Sequence, residues 1–305
     1  MSVLTGNRLP ANWEGAGFRP WPQVTGERAL VLGGGGATGI AWESGILAGL
    51  RDGGADVSDA DTIIGTSAGS MVGAHLRLGT ADDVALGRIR DRSPLQNLGR
   101  LGPRDAVRFL AAQATPHPSR GRALIGRSAL RATTASEEEF LEIIGSGLAG
   151  QPWPNRRLLV TAVDAETGAG VVFHNDSDVP LERAVAASCS VPGVFPAVTI
   201  GGRRYVDGGV RSVANIDLAA GHRRVLVLAP IPLAVRRRDR PGPQVRELGP
   251  SVASTLLVPD VQAARAMGPN PFDMRRGQAT LDAAHAQGLR LAPSIGDLWS
   301  GPEPS

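Results

Sequence analysis

The sequence predicts a single α/β domain, a mainly parallel central sheet with helices on both faces. Two observations carry this expectation. Arg28-Ala29-Leu30-Val31-Leu32 reads as a buried strand that runs into Gly33-Gly34-Gly35-Gly36-Ala37-Thr38-Gly39, and from Ile40 to Leu50 apolar residues recur at helical spacing. About thirty residues later a β-branched run, Thr62-Ile63-Ile64, enters the turn Gly65-Thr66-Ser67-Ala68-Gly69, and Ser70 to Leu78 is again helical in its spacing. Two successive strand–turn–helix units imply parallel strands with their crossover helices packed on the sheet. With 305 residues, 42% of them hydrophobic, the chain can bury one large core.

Taken in order, residues 1–27 read as an extended N-terminal arm, with Trp13, Phe18 and Trp21 able to lie over the body. The domain proper is expected over 28–292 and a C-terminal tail over 293–305. Gly53-Gly54 should end the first helix. Residues 80–150 read as helical and polar, divided by Pro94, Pro103, Pro116 and Pro118, and suited either to cover a site as a lid or simply to pack. Ser136 followed three residues later by Glu139 forms a capping box at the start of one of these helices. Arg157–Val163 and Gly170–His174 read as adjacent strands around a turn, and 180–188 as a short helix. Ser190 to Pro196 follows as a rigid loop, after which 197–200 and 203–206 flank Gly201-Gly202 as a hairpin leading to Asp207-Gly208-Gly209. Val225–Ala229 is expected as the last buried strand, 230–250 as a Pro/Arg-rich loop, and 252–290 as helices interrupted at Pro269-Asn270-Pro271.

Composition excludes several functions. Every basic residue is arginine, the formal net charge is only +3 and aromatics are 4% of the chain, so the basic stripe with interleaved aromatics that marks nucleic-acid binders is missing. Arg236-Arg237-Arg238 with Arg240 forms the one cluster, read as a solvated loop with anionic lipid as the alternative. Cys189 is the only cysteine, which rules out an intrachain disulfide and a cysteine-based metal site and fits a reducing compartment. The first 28 residues hold no signal-peptide core, and the longest apolar stretch, Val225–Val235, is broken by two prolines and too short to span a bilayer. A soluble, cytoplasmic protein with at most peripheral membrane contact is expected.

Three glycine-bearing segments can carry chemistry. A sharp strand-to-helix turn lifts a serine hydroxyl above a sheet, which makes Ser67 the candidate nucleophile. The loop Gly33–Gly39 has two readings. Gly34, Gly36 and Gly39 satisfy the dinucleotide-binding spacing, with Asp52, Asp56 and Asp59 about where a ribose-binding carboxylate is wanted. Alternatively, bare amides at a helix N-terminus stabilise developing negative charge and make an oxyanion hole. Asp207-Gly208-Gly209 is either a structural hairpin turn or a carboxylate base for Ser67. The histidines offer no rival base: His222 and His285 read as solvent-facing structural residues, and His75, His117 and His174 sit elsewhere in the pattern. Cys189, among small apolar neighbours, reads as a buried structural thiol.

Four of these motifs in this order, Gly33–Gly39 after a strand, Gly65–Gly69, Val191-Pro192-Gly193-Val194-Phe195-Pro196 and Tyr205-Val206-Asp207-Gly208-Gly209, resemble the patatin-like phospholipases over roughly residues 28–230. The resemblance implies a three-layer α/β sandwich distinct from ordinary α/β-hydrolases and a Ser67–Asp207 dyad with no histidine, metal or cofactor. It also implies that the amides of Gly34, Gly35 and Gly36 hold the oxyanion, and that the substrate is a lipid or other acyl ester. The alternatives are a dinucleotide-binding enzyme and a non-catalytic lipid-binding protein on the same fold. Thr38 departs from the family pattern, which often has a basic residue there; its absence puts a neutral ester or lysolipid beside phospholipid as substrate.

Overall fold

In a computed structural model, residues 26–81, 115, 117–145 and 147–301 are described. The arm before Gly26, the stretch 82–114 and the final four residues lie outside them, as does about half of the region 80–150 expected to form a lid. The elements run β1 (Gly26–Leu32), α1 (Gly36–Asp52), β2 (Thr62–Thr66), α2 (Ala68–Leu78), α3 (Pro118–Ala129), α4 (Glu137–Gly145), β3 (Arg157–Asp164), β4 (Gly170–Phe173) and α5 (Leu181–Cys189). They continue with β5 (Val198–Ile200), β6 (Arg203–Asp207), β7 (His222–Leu228), α6 (Pro241–Glu247), β8 (Ala253–Leu257), α7 (Val261–Met267) and α8 (Gly277–Ser300).

The strands form one sheet in the order β5-β6-β3-β2-β1-β7-β8, with β4 also paired to β3. The run from β3 through β2, β1 and β7 to β8 is parallel. The hairpin β5–β6 and strand β4 join β3 antiparallel. The sheet is therefore mixed but mostly parallel, flanked by helices, in a single α/β domain.

Strand alternation divides the core into two. Leu30, Leu32, Ile63, Leu158, Leu226 and Leu228 point to one face, where they meet Trp42, Ile46 and Leu50 of α1, Met71 of α2 and Ile295 and Trp299 of α8. Ala29, Val31, Ile64, Leu159, Val225 and Val227 point to the other, under Ile216, Leu218, Val245 and Leu248. Strands buried on both faces read as continuous apolar runs, which is why β1, β2, β3 and β7 are visible in the sequence.

Helices α1 and α8 pack backbone to backbone. A Cβ on Gly45 would lie 2.5 Å from the Leu281 carbonyl oxygen, on Gly49 2.2 Å from that of His285, and on Gly288 2.5 Å from that of Ile46. Gly45 and Gly49 stand one turn apart on α1 and so line one groove that admits the partner helix. Trp42 Nε1 adds a buried hydrogen bond to Gln287 Oε1 at 3.0 Å.

Three features differ from the sequence expectation. β7 is not the last strand: β8, expected to be helical, is a half-exposed edge strand paired with β7. Its Ala-Ser-Thr-Leu-Leu composition is weak for a strand, and the β7 edge decides the matter. The 230–250 loop contains the two-turn helix α6, opened by Pro241 at its first position, where the missing N–H costs nothing. The tail expected from 293 is, as far as Ser300, the end of α8, which continues past Pro293 and buries Ile295 and Trp299. The Ser136–Glu139 capping box is formed in both directions, at 3.0 and 3.1 Å.

The same chemical change should have opposite effects at two glycines. Gly49→Ala should lower unfolding stability by about 1–3 kcal/mol by forcing α8 off α1. Gly296→Ala, in α8 with only the Ala55 Cβ within reach at 3.9 Å, should raise it by about 0.5–1 kcal/mol. Urea unfolding of the two variants beside wild type measures both.

Candidate active site

Ser67 stands between β2 and α2 with φ 53° and ψ −119°, a conformation that non-glycine residues rarely adopt and that costs on the order of 1–3 kcal/mol. The surroundings impose it. A Cβ on Gly65 would sit 2.5 Å from the Ser70 Cα, and one on Gly69 2.2 Å from the Leu32 carbonyl oxygen, so the residues two before and two after the serine must be glycine. The turn is pinned by Ser67 N–H donating to Ser188 Oγ at 2.9 Å and by Gly69 N–H donating to the Gly33 carbonyl at 3.0 Å.

The sheet register brings Asp207 to this turn. Thr66, the last residue of β2, is opposite Thr161 of β3; the next residue of β3, Ala162, is opposite Asp207 at the end of β6. Because β4 holds the far edge of β3 across the same residues, β6 continues along the edge that β2 vacates. Asp207 therefore meets the residue that follows β2, which is Ser67. The alternative reading of Asp207-Gly208 as a hairpin turn does not hold, since β6 pairs with β3 and β5 and continues into a 3₁₀ turn, Gly208–Val210.

The corner is tied by Asn215, a residue the sequence reading did not single out. It is fully buried in the left-handed conformation, φ 48° and ψ 45°. Its Nδ2 donates to Thr66 Oγ1 at 3.0 Å, Thr161 Oγ1 at 3.2 Å and the Ser212 carbonyl at 2.9 Å, with the Gly208 carbonyl at 3.4 Å. Arg211, paired with Asp217, donates to its Oδ1 at 2.7 Å. One amide thus joins the end of β2, the middle of β3 and the turn after Asp207. Its only sequence trace is an asparagine a few residues beyond an Asp-Gly-Gly, which no local periodicity distinguishes.

Asp207 is buried, and its Oδ1 accepts from Gly209 N–H at 2.7 Å while Oδ2 has no formed hydrogen bond. Burial pushes its carboxyl up to about 6, opposed first by hydrogen bonding from Ser67 and then by the Gly209 amide. Ser67 thus acts on this carboxylate without being drawn into a hydrogen bond of ordinary length, the loose arrangement common before a substrate tightens the site. No imidazole is among the groups that set its titration.

The glycine loop lies across the serine: a Cβ on Gly34 would be 3.5 Å from the Ser67 Cβ. Gly34 corrects the expectation of three free donors, because its N–H already donates to the Val213 carbonyl at 2.7 Å. Gly36 opens α1 with φ +60°, and the first amides of a helix have no partner within it. Thr38, in place of a basic residue, is buried, with its N–H donating to the Pro271 carbonyl at 3.0 Å. Beneath the loop, Glu43 is fully buried, and burial holds its carboxyl well above the usual carboxylate range, opposed by the backbone amide of Gly33.

The remaining candidates are occupied elsewhere. The dinucleotide reading needs a carboxylate at the end of β2, where Ser67 stands instead. Asp52 is at the far end of the 17-residue α1, about 25 Å along, and Asp59 is bound to Arg28 and Trp299. His222 is buried rather than solvent-facing, between the Ala219 carbonyl and Thr62 Oγ1; His285 pairs with Asp52, and His75 with Thr80. Cys189 is a buried thiol donating to the Ser67 carbonyl at 3.3 Å, its ionisation pushed up first by burial and then by the charge of Asp207. Among the described residues no group of three or more His, Cys, Asp or Glu side chains is arranged to hold a metal ion.

Comparison with known proteins adds the family. Uncharacterized NTE family proteins of Mycobacterium bovis and Mycobacterium tuberculosis are 27% identical over 289 residues, spanning 90% of this chain and 69% of each relative. Looser structural likenesses are found to VipD from Legionella pneumophila (13% identity, TM-score 0.45, 88% of this chain and 67% of that one) and to the type III effector protein ExoU (16%, 0.39, 87% and 53%). Both are too distant to add to what the sheet itself shows. The family model described as patatin-like phospholipase matches residues 30–220, a span that holds the glycine loop, the Ser67 turn, Asp207 and Asn215. The chain belongs to the patatin-like phospholipase family, a family of lipid hydrolases.

Proposed function

We propose that the protein is a serine acyl hydrolase, a phospholipase A or lipid esterase, working through Ser67 and Asp207. In this reading Ser67 Oγ attacks the acyl carbonyl while Asp207 takes its proton. The oxyanion is held by the amides of Gly35 and Gly36, each such donor being worth about 3 kcal/mol in the transition state. The tetrahedral intermediate collapses to an acyl-serine as the protonated Asp207 returns its proton to the leaving alcohol. Asp207 then deprotonates a water that attacks the ester, and as the acyl carbon–Ser67 Oγ bond breaks it returns that proton to Oγ while the fatty acid departs. With no cation at Thr38, a neutral ester or lysolipid is as well served as a charged phospholipid.

The single observation that carries the reading is the convergence, 140 positions apart in sequence, of a strained serine and a desolvated carboxylate that has one oxygen to spare. A carboxylate of ordinary pKa is a poor base, and one raised toward neutrality is a better one that is still ionised at physiological pH.

Ser67→Ala should abolish labelling by a fluorophosphonate probe and reduce hydrolysis of short-chain p-nitrophenyl esters to background; undiminished turnover would end the proposal. A folded wild type without turnover would leave the non-catalytic lipid-binding scaffold. Loss of activity on acidification should track Asp207, with kcat/KM halved near pH 6 and falling about tenfold per unit below that.

The same shift has a stability sign. Between about pH 4 and 6 the folded protein keeps a proton on Asp207 that the unfolded chain has lost, so folding stability falls as pH rises through that window. Asp207→Asn should therefore be inactive but more stable than wild type at pH 8, on the order of 2 kcal/mol, with the advantage gone by pH 4, as read from thermal unfolding at the two pH values.

Asn215→Gly keeps the left-handed backbone and removes only the amide. It should lower kcat tenfold or more with little change in KM and displace the pH midpoint, because Asp207 is no longer held against Ser67. A loss of stability with normal kinetics would reduce Asn215 to a structural part.

A further inference from the structure

Beyond β7 the chain emerges beside the site: Pro230 packs where a Cβ on Gly35 would lie 2.6 Å from its own Cβ, and the chain then runs over the surface to α6. Among the described residues only six large hydrophobic side chains are exposed, and three of them are here: Ile231 at 37%, Leu233 at 68% and Val235 at 49%. The other three, Leu124, Val261 and Leu289, are dispersed over separate helices. The three clustered side chains rim a cavity of about 420 Å³ whose inner wall includes Gly209, Ser212 and Val213. Gly209 N–H bonds Asp207 and the Val213 carbonyl accepts from Gly34, so one wall of the cavity is a single hydrogen bond from the proposed dyad and its glycine loop.

The charge is placed with the apolar side chains. Residues 231–240 contain four arginines, Arg236, Arg237, Arg238 and Arg240, and one acid, Asp239, a net +3 that equals the formal charge of the whole chain. The charges of the rest of the chain sum to zero. Arg237, Arg238 and Arg240 are exposed. Arg122 and Arg211 also bear on Asp239 from neighbouring elements, so the local acid is outnumbered on every side.

Resting on the hydrolase reading, we propose that the segment 231–240 is the docking surface through which the protein meets an anionic phospholipid bilayer, with Ile231, Leu233 and Val235 entering the headgroup boundary and the arginines facing the lipid phosphates. Protruding aliphatics beside a segment of net positive charge, in which Arg238 has an acid, Asp239, within ion-pair distance, suit a surface that is apolar below and anionic above. The segment has no aromatic side chain to anchor a protein partner. Docking in this way sets the cavity mouth against the membrane, so that an acyl ester can pass from the bilayer to Ser67 without crossing water.

The test uses full-length Ser67→Ala, which leaves vesicles intact, in sedimentation with phosphatidylcholine vesicles with and without phosphatidylglycerol. Binding should be at least tenfold tighter to the anionic vesicles and should weaken as salt is added. Arg237→Glu with Arg238→Glu should lower it by more than twentyfold, since each arginine near such a surface is worth about fivefold in partitioning. Leu233→Asp with Val235→Asp should lower it about tenfold at unchanged thermal midpoint. Equal binding to both vesicle types, no binding, or variants that bind as the parent does would overturn the proposal. So would concentration-dependent dimerisation abolished by the same substitutions, which would assign the patch to a second copy. Because binding is read without catalysis, vesicle binding by a protein that hydrolyses no ester would sink the hydrolase reading alone, and ester hydrolysis without vesicle binding would sink the docking surface alone.

Discussion

The site depends on what happens between two consecutive residues of β3. Thr161 lies opposite Thr66 of β2, and Ala162 already lies opposite Asp207 of β6. β2 stops because its next residue, Ser67, turns out of the sheet, and the edge it abandons is taken by a strand arriving from the opposite direction. A slip of one residue in β6 would turn the Asp207 side chain to the other face of the sheet. Two devices prevent it. Gly208 lets the chain pass within contact of Thr161, where a Cβ would lie 2.2 Å from Oγ1, and the Asn215 amide bonds both threonines and the turn together.

The electrostatic character of the corner follows from its dryness. Three acidic groups surround the turn, the carboxyls of Asp207 and Glu43 and the thiol of Cys189, and the ionisation of each is pushed up. Burial is the leading cause in each case. In the proposed acyl transfer, negative charge forms where burial disfavours its build-up on the neighbouring acids. The strained serine conformation and the desolvated carboxylate are both costs that the rest of the fold must carry, which is the usual relation between a stable scaffold and a reactive site.

Much of this was legible in the sequence because it is local. Parallel strands buried on both faces announce themselves as apolar runs, and the glycines around Ser67 fall within one short turn, although the contact that imposes Gly69 comes from Leu32 of β1. The order of four short motifs then placed Asp207 beside a serine that no periodicity connects to it. What was hidden is what depends on partners distant in the chain. β8 is a strand only because β7 offers an edge, Gly34 loses its free amide to a carbonyl on the far loop at Val213, and His222 is buried by the strand beside it. Asn215 was invisible for the same reason, since its importance is measured by three elements it touches and none of them is adjacent to it.

The distance along the chain between the halves of the site has a consequence for how the protein comes into being. A nascent polypeptide displays the serine turn early, but the carboxylate, and the asparagine that fastens it, leave the ribosome some hundred and forty residues later. Until then the growing molecule has the serine turn without its buried carboxylate and a β3 edge with no occupant. Any chemistry that needs both groups must wait until the last contact of the corner closes, a delay that topology alone supplies.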